Sequence, residues 1–114
     1  MTCVLVADDN RQMAEVLRAS LEDAGYDVVT AYSGLAAVAA IGNNEVALAV
    51  LDVLMPEMSG DAVAERLRLI APGLPVVLMT GADSSFAAAS GLPVLRKPFA
   101  HEELIETVQR LLAR

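Results

Sequence analysis

The sequence predicts an α/β fold, a doubly wound five-stranded parallel sheet with helices on both faces, and three observations carry that prediction. Five short apolar runs alternate with segments whose apolar residues recur at three- and four-residue spacing. Two of the runs end abruptly in carboxylates: Cys3 to Ala7 leads into Asp8-Asp9-Asn10, and Ala47 to Leu51 leads into Asp52. The chain is 55% hydrophobic but only 4% aromatic, which suits strands buried on both faces in a core of Val, Leu, Ile, Ala and Met. Short turns between strand and helix select parallel pairing, and right-handed crossovers then distribute the helices over both sides.

Taken in order, Cys3 to Ala7 is strand one. Asn10 is the expected N-cap of a helix whose stripe is Met13, Val16, Leu17, Leu21 and Ala24, stopped by Gly25. Asp27 to Ala31 reads as strand two. Ser33 caps a second helix carrying Leu35, Val38 and Ile41, which ends at Gly42-Asn43-Asn44. The central strand, Ala47 to Leu51, delivers Asp52 to its end, and Pro56 and Gly60 break any continuation. A carboxylate is costly inside a core and tolerable where a strand leaves it, so Asp52 belongs at a mouth.

Val63, Leu67 and Ile70 mark a third helix, terminated by Pro72-Gly73. Pro75 opens strand four, Val76 to Met79, which runs into Thr80-Gly81. Only Ser84 to Ser90 is left for a fourth helix before Gly91, a length below that of a helix stable by itself, so this element is short or irregular. Val94-Leu95 is a brief last strand leading to Arg96-Lys97-Pro98. Leu104, Ile105, Val108, Leu111 and Leu112 close the chain as a helix.

The 114 residues fit one domain, 1–114, without repeat or linker. No apolar run approaches the roughly 18 residues that span a bilayer, and no basic segment precedes an apolar one at the start. A cytoplasmic protein without membrane insertion is expected. Cys3 is the only cysteine, which excludes an internal disulfide and a cysteine-rich zinc site, and it reads as core filler. The only histidine, His101, reads as a solvated helix residue. A net charge of −7 repels a nucleic-acid backbone, so direct nucleic-acid binding is not expected.

Open parallel sheets bind ligands beyond the carboxyl ends of their strands. Asp8 and Asp9 follow strand one, Asp52 strand three, Thr80 strand four and Lys97 strand five; strand two contributes no such group. Three converging carboxylates repel one another, and a divalent cation relieves this, Mg²⁺ being favoured by an all-oxygen ligand set. With a hydroxyl from Thr80 and an ammonium from Lys97, the set describes a site that stabilises a phosphoryl group in transfer. Asp52 is the candidate nucleophile, forming an aspartyl phosphate, and Gly81 is either a simple turn residue or one that leaves room for phosphoryl oxygens.

These residues carry a resemblance. D-D at 8 and 9, D at 52, M-P-E-M-S-G at 55 to 60, T-G at 80 and 81 and K-P-F at 97 to 99 resemble the receiver domain of two-component response regulators, from about Val4 to Leu112. The resemblance implies a flavodoxin-like sheet in order 2-1-3-4-5. It implies that Asp9 binds Mg²⁺ directly, Asp8 assists through water, Asp52 is both ligand and phosphoacceptor, and the backbone carbonyl of Leu54 completes the ligands. Thr80 and Lys97 would contact the phosphoryl group after transfer from a histidine kinase or a histidine phosphotransfer protein. The implied role is a signalling phosphoacceptor with self-catalysed phosphorylation and dephosphorylation, not an enzyme acting on external substrates.

Three departures from the family pattern bear on mechanism. Val94 stands where the family usually has the Tyr or Phe whose rotation accompanies activation. The stretch from Thr80 to Lys97 is shorter than usual. Leu54 and Ala82 stand where side chains influence water access to the phosphate, and neither can position a water. Slow hydrolysis, and a readout through Thr80 and its loop, are expected.

Two other readings compete: a phosphate-independent pseudo-receiver acting as a binding module, and a Mg²⁺-dependent phosphatase, whose chemistry calls for a second Asp where Leu54 stands. The chain is either a stand-alone regulator or a piece of a longer protein, and its G-L-P-V-L-R-K-P-F run is similar to receivers of hybrid histidine kinases. Helix one, with Met13 and Val16 near the acidic site, is the natural docking surface for a phosphodonor, although apolar positions of this kind more often belong to the core, and no partner contact is assigned to a single residue.

Overall fold

The computed structural model describes residues 2–81 and 85–113. Within them the elements alternate as β1 Cys3–Ala7, α1 Arg11–Asp23, β2 Asp27–Ala31, α2 Gly34–Asn43, β3 Leu48–Asp52, α3 Gly60–Ile70, β4 Val76–Thr80, α4 Ser85–Ser90, β5 Val94–Arg96 and α5 His101–Leu112. The strands form one sheet in the order β2-β1-β3-β4-β5, with every pairing parallel. Fold class, strand order and the short fourth helix agree with the expectation. Ala82 and Ser84, expected beside the phosphate and at the start of helix four, lie outside the described residues.

The period of two along each strand sorts the core into two layers. Leu5, Ala7, Ala49, Leu51 and Leu78 pack on one face with Ala37 of α2 and Val63, Ala64 and Leu67 of α3. Val4, Val6, Leu48, Val50, Val77, Met79 and Leu95 pack on the other with Leu17 and Leu21 of α1 and Leu104 and Val108 of α5. Both faces of the central strands are thus dry, which is why the apolar runs are continuous rather than alternating with polar residues.

Helix starts follow their caps. Asn10 Oδ1 accepts from the Met13 N–H at 3.1 Å, Ser33 Oγ from Ala36 at 3.1 Å and Ser59 Oγ from Ala62 at 3.4 Å. Helix α4 closes on itself: Ser90 Oγ donates to the Ala87 carbonyl at 2.9 Å and accepts from the Leu92 N–H at 3.1 Å.

The predicted helix stripes need correction at their margins. Ala14, Leu17 and Leu21 are the buried residues of α1, whereas Val16 and Ala24 are exposed. At 100° per residue, positions 14, 17 and 21 share one face and position 16 points away from it, whereas Ala24 is the C-cap, past the last helical residue. Leu35 is exposed for the same reason as Val16, Ile70 is exposed as the last residue of α3, and Gly34 and Ala37 are the buried residues of α2. Cys3 is only half-buried, at the start of β1. His101 is exposed at the start of α5, as expected of a solvated helix residue.

Candidate functional site

The two-residue period also explains which side chains meet at the carboxyl edge. Continuing the parity of β1, β3 and β5, Asp8 follows Val4 and Val6, Asp52 follows Leu48 and Val50, and Lys97 follows Leu95, all on the layer of α1 and α5. Lys97 Nζ accordingly lies 3.1 Å from Asp8 Oδ2 and 3.6 Å from Asp52 Oδ2. Asp8 is fully buried and Asp52 is 6% exposed, while Asp9, one residue into the loop, is exposed. Carboxylate oxygens of Asp8, Asp9 and Asp52 come within 4.8 Å of one another.

Backbone groups hold this arrangement. Asp8 accepts from the Asn10 N–H at 2.9 Å and its own N–H donates to the Ala31 carbonyl at 3.0 Å, tying the loop to β2. Asp52 Oδ1 accepts from the Leu54 N–H at 3.4 Å. The Val53 N–H donates to the Met79 carbonyl, and the Gly60 N–H returns to the Val53 carbonyl at 3.0 Å, so the loop after β3 folds back over the strand end. A Cβ at Gly60 would collide with the Asp52 carbonyl, and one at Gly34 with the Met58 carbonyl. Glu57, inside the same loop, takes a left-handed φ of 68°, a conformation uncommon outside glycine.

Thr80 is buried at the end of β4, and its carbonyl accepts from the Lys97 N–H at 2.8 Å. The lysine's place is therefore fixed through the threonine's backbone. The Lys97–Pro98 peptide is cis. A Cβ at Gly81 would meet only the Lys97 Cβ, at an ordinary 4.0 Å, so this position leaves open space beside the lysine. The side chain of Leu54 is exposed, two residues past Asp52.

Burial pushes the Asp52 carboxyl up from 3.8 to about 6. The charge and hydrogen bonding of Asp8 act in the same direction, against the opposing effects of Lys97 and the Leu54 N–H. Among the described residues the cluster is short of positive charge: three carboxylates converge and one ammonium pairs with two of them, Asp8 and Asp52. Hard oxygen donors in this number, within 4.8 Å of one another, fit a small divalent cation, and the donor set suits Mg²⁺.

The family model of the response regulator receiver domain matches residues 4–109. The chain belongs to the response regulator receiver domain family.

Individual relatives are of the same kind. The receiver is 40% identical over 116 residues to the response regulator MprA of Mycobacterium sp. (strain KMS), covering 97% of this chain and 50% of that protein. The chain thus spans about half the length of the curated relatives it matches. Among solved structures, it resembles the receiver domain of the Francisella response regulator 1452, with a TM-score of 0.91 and 32% identity, covering 100% of this chain and 98% of that one. It also resembles the Thermotoga maritima response regulator protein TrrA in complex with Mg²⁺-BeF, with a TM-score of 0.89 and 30% identity, covering 97% and 99% of the two chains.

Of the residues predicted from sequence, Asp8, Asp9, Asp52 and Lys97 are brought into one cluster, and Thr80 joins it through backbone. Sequence reasoning did not single out Arg11 and Tyr32. Tyr32, the residue after β2, stacks under Arg11, whose guanidinium carbon lies 4.3 Å from the ring centroid. The Tyr32 hydroxyl donates to Glu15 Oε1 at 3.1 Å. No local signal marks this pair, which joins the start of α1 to the loop after β2.

Proposed function

We propose that this receiver takes a phosphoryl group on Asp52 from a phosphohistidine donor, on a histidine kinase or a histidine phosphotransfer protein, and signals through the resulting change in conformation. The observation that carries the reading is the cluster itself: a buried carboxylate at a strand end, flanked by two further carboxylates and held 3.6 Å from an ammonium. Asp8, Asp9, Asp52 and the backbone carbonyl of Leu54 would hold Mg²⁺, with Asp8 acting through water. When bound, this ion supplies positive charge against which three carboxylates and a phosphoryl group can coexist.

In the transfer, an Asp52 carboxylate oxygen forms a bond to phosphorus as the phosphorus–nitrogen bond breaks, and the donor imidazole nitrogen leaves with that electron pair. Lys97, already between Asp8 and Asp52, is placed to pair with phosphoryl oxygens once Asp52 is esterified. Thr80 fixes the lysine through its carbonyl and offers its hydroxyl to the phosphoryl group. Chemistry of this kind asks little of the protein beyond position and charge.

The side chain at Leu54 sets the lifetime of the product. It is apolar and exposed next to the acceptor, and can neither donate to nor accept from an attacking water. Hydrolysis is therefore slow. The role belongs to the cytoplasm and to a unit spanning residues 1–114, whether alone or within a longer protein.

Titration with Mg²⁺ and beryllofluoride, a phosphoryl mimic, tests this by amide chemical shifts. Saturable changes at residues 8, 9, 52, 80 and 97, abolished in Asp52→Asn, are expected. Because Val94 replaces the usual aromatic, the largest remote changes should run from Thr80 and Gly81 into α4. Changes concentrated at Val94 and α5, with Thr80 and Gly81 unmoved, would contradict that readout.

A further inference from the structure

The group formed by Arg11, Tyr32 and Glu15 has no part in the phosphoryl-transfer chemistry, although it borders the acidic cluster. Its position is set by two connections. Arg11 is the first residue of α1, separated from Asp9 only by the capping Asn10. Tyr32 comes after Ala31, whose carbonyl accepts the Asp8 N–H at 3.0 Å. Both side chains therefore rise from the edge of the sheet on which Asp8 and Asp9 sit.

The arrangement is built rather than incidental. The Tyr32 hydroxyl is held by Glu15 at 3.1 Å and by Thr30 Oγ1 at 3.4 Å, which fixes the ring that the guanidinium covers. Glu15 is itself 3.7 Å from Arg18. Its charge is thus shared with Arg18, while Arg11 forms no ion pair among the described residues. A cation on an aromatic face keeps its full charge and has its long side chain ordered. The result is a fixed positive charge at the rim of a strongly acidic mouth, in a chain whose net charge is −7.

We propose that Arg11, held by Tyr32, is an anion-recruiting residue: it draws the doubly negative phosphoryl group of a small-molecule or phosphohistidine donor toward Asp52. The inference rests on the reading of Asp52 as phosphoacceptor and adds to it a determinant of donor capture. Without Arg11, an approaching dianion meets the exposed Asp9 before it reaches Lys97. Arg11 offsets that barrier during approach and takes no part in bond making, so its effect depends on donor charge and is screened by salt.

The test is the apparent second-order rate constant for acyl phosphate formation, read by intact mass, with saturating Mg²⁺ and acetyl phosphate at low and at high ionic strength. Arg11→Ala should be slower by about threefold or more at low salt, and the gap should close at high salt. Arg11→Lys should retain most of the rate, and Tyr32→Leu, which frees the guanidinium, should fall between wild type and Arg11→Ala. Phosphoramidate, a donor of lower net charge, should show a smaller loss. A merely structural role would lower rates equally at both ionic strengths and for both donors, and that result overturns the inference. Equal rates for wild type and Arg11→Ala overturn it too, while leaving Asp52 as acceptor intact. Wild-type protein that gains no phosphate overturns the underlying reading as well.

Discussion

On the proposed reading, Asp52 is the residue at which stability and function pull in opposite directions. Burial holds its carboxyl near 6 instead of 3.8, so between those values the folded protein keeps a proton that the unfolded chain has released. Stability contributed by that proton is present at pH 4 and lost as pH rises through 6, where a charged Asp52 must sit against Asp8. In buffer free of divalent cations, Asp52→Asn should therefore raise stability at pH 7 by about 1–2 kcal/mol. The gain should vanish toward pH 4, as urea denaturation across pH would show; a variant less stable than wild type at pH 7 would contradict this. On the proposed reading, Leu54 governs the lifetime of the phosphorylated state. Leu54→Asn places an amide where water can be oriented, and the phosphorylated half-life should shorten severalfold, measured by loss of the added mass. A half-life unchanged or lengthened would deny Leu54 this role.

At the scale of elements, the loop between β3 and α3 couples fold to site. Gly60 opens α3 and sits so close to the Asp52 carbonyl that no Cβ fits, and backbone cannot yield as a flexible side chain can. Gly60→Ala should destabilise the protein by about 1–3 kcal/mol and slow phosphorylation of Asp52, because the loop must shift at the acceptor itself. Leu67→Ala, on the same helix but deep in the layer against the sheet, should cost about 2–5 kcal/mol while leaving the rate of phosphorylation of the folded fraction unchanged. A rate unchanged by Gly60→Ala would separate loop from site. Strands were legible because burial on both faces makes them unbroken apolar runs: β1 and β2 have the predicted ends, and Asp52 closes β3. Helix faces were less so. Val16 lies three residues after Met13 and so joins a stripe of large apolar residues, whereas the buried face of α1 runs through the small Ala14, which such a stripe passes over.

For the whole molecule, topology assembles what no local pattern contains. Asp8 and Lys97 are 89 residues apart in sequence and 3.1 Å apart in space, because parallel strands in the order β2-β1-β3-β4-β5 bring their carboxyl ends to one edge. The strand-end carboxylates, Thr80 and Lys97 could be read in advance since each ends an apolar run. The pairing of Arg11 with Tyr32 could not, because it joins a helix start to a loop and neither position breaks a pattern. The same crowding predicts a linkage: Mg²⁺ should raise the melting temperature of wild type by a few degrees at millimolar concentration, and by less in Asp52→Asn, as thermal scans with and without the ion would report. The central claim, that Asp52 accepts phosphate at a site needing a divalent cation, is tested most directly by intact mass after incubation with acetyl phosphate, with and without Mg²⁺. One added phosphate is expected in wild type only when Mg²⁺ is present, and none in Asp52→Asn; phosphate on the variant, or none on wild type with Mg²⁺ bound, would contradict the claim.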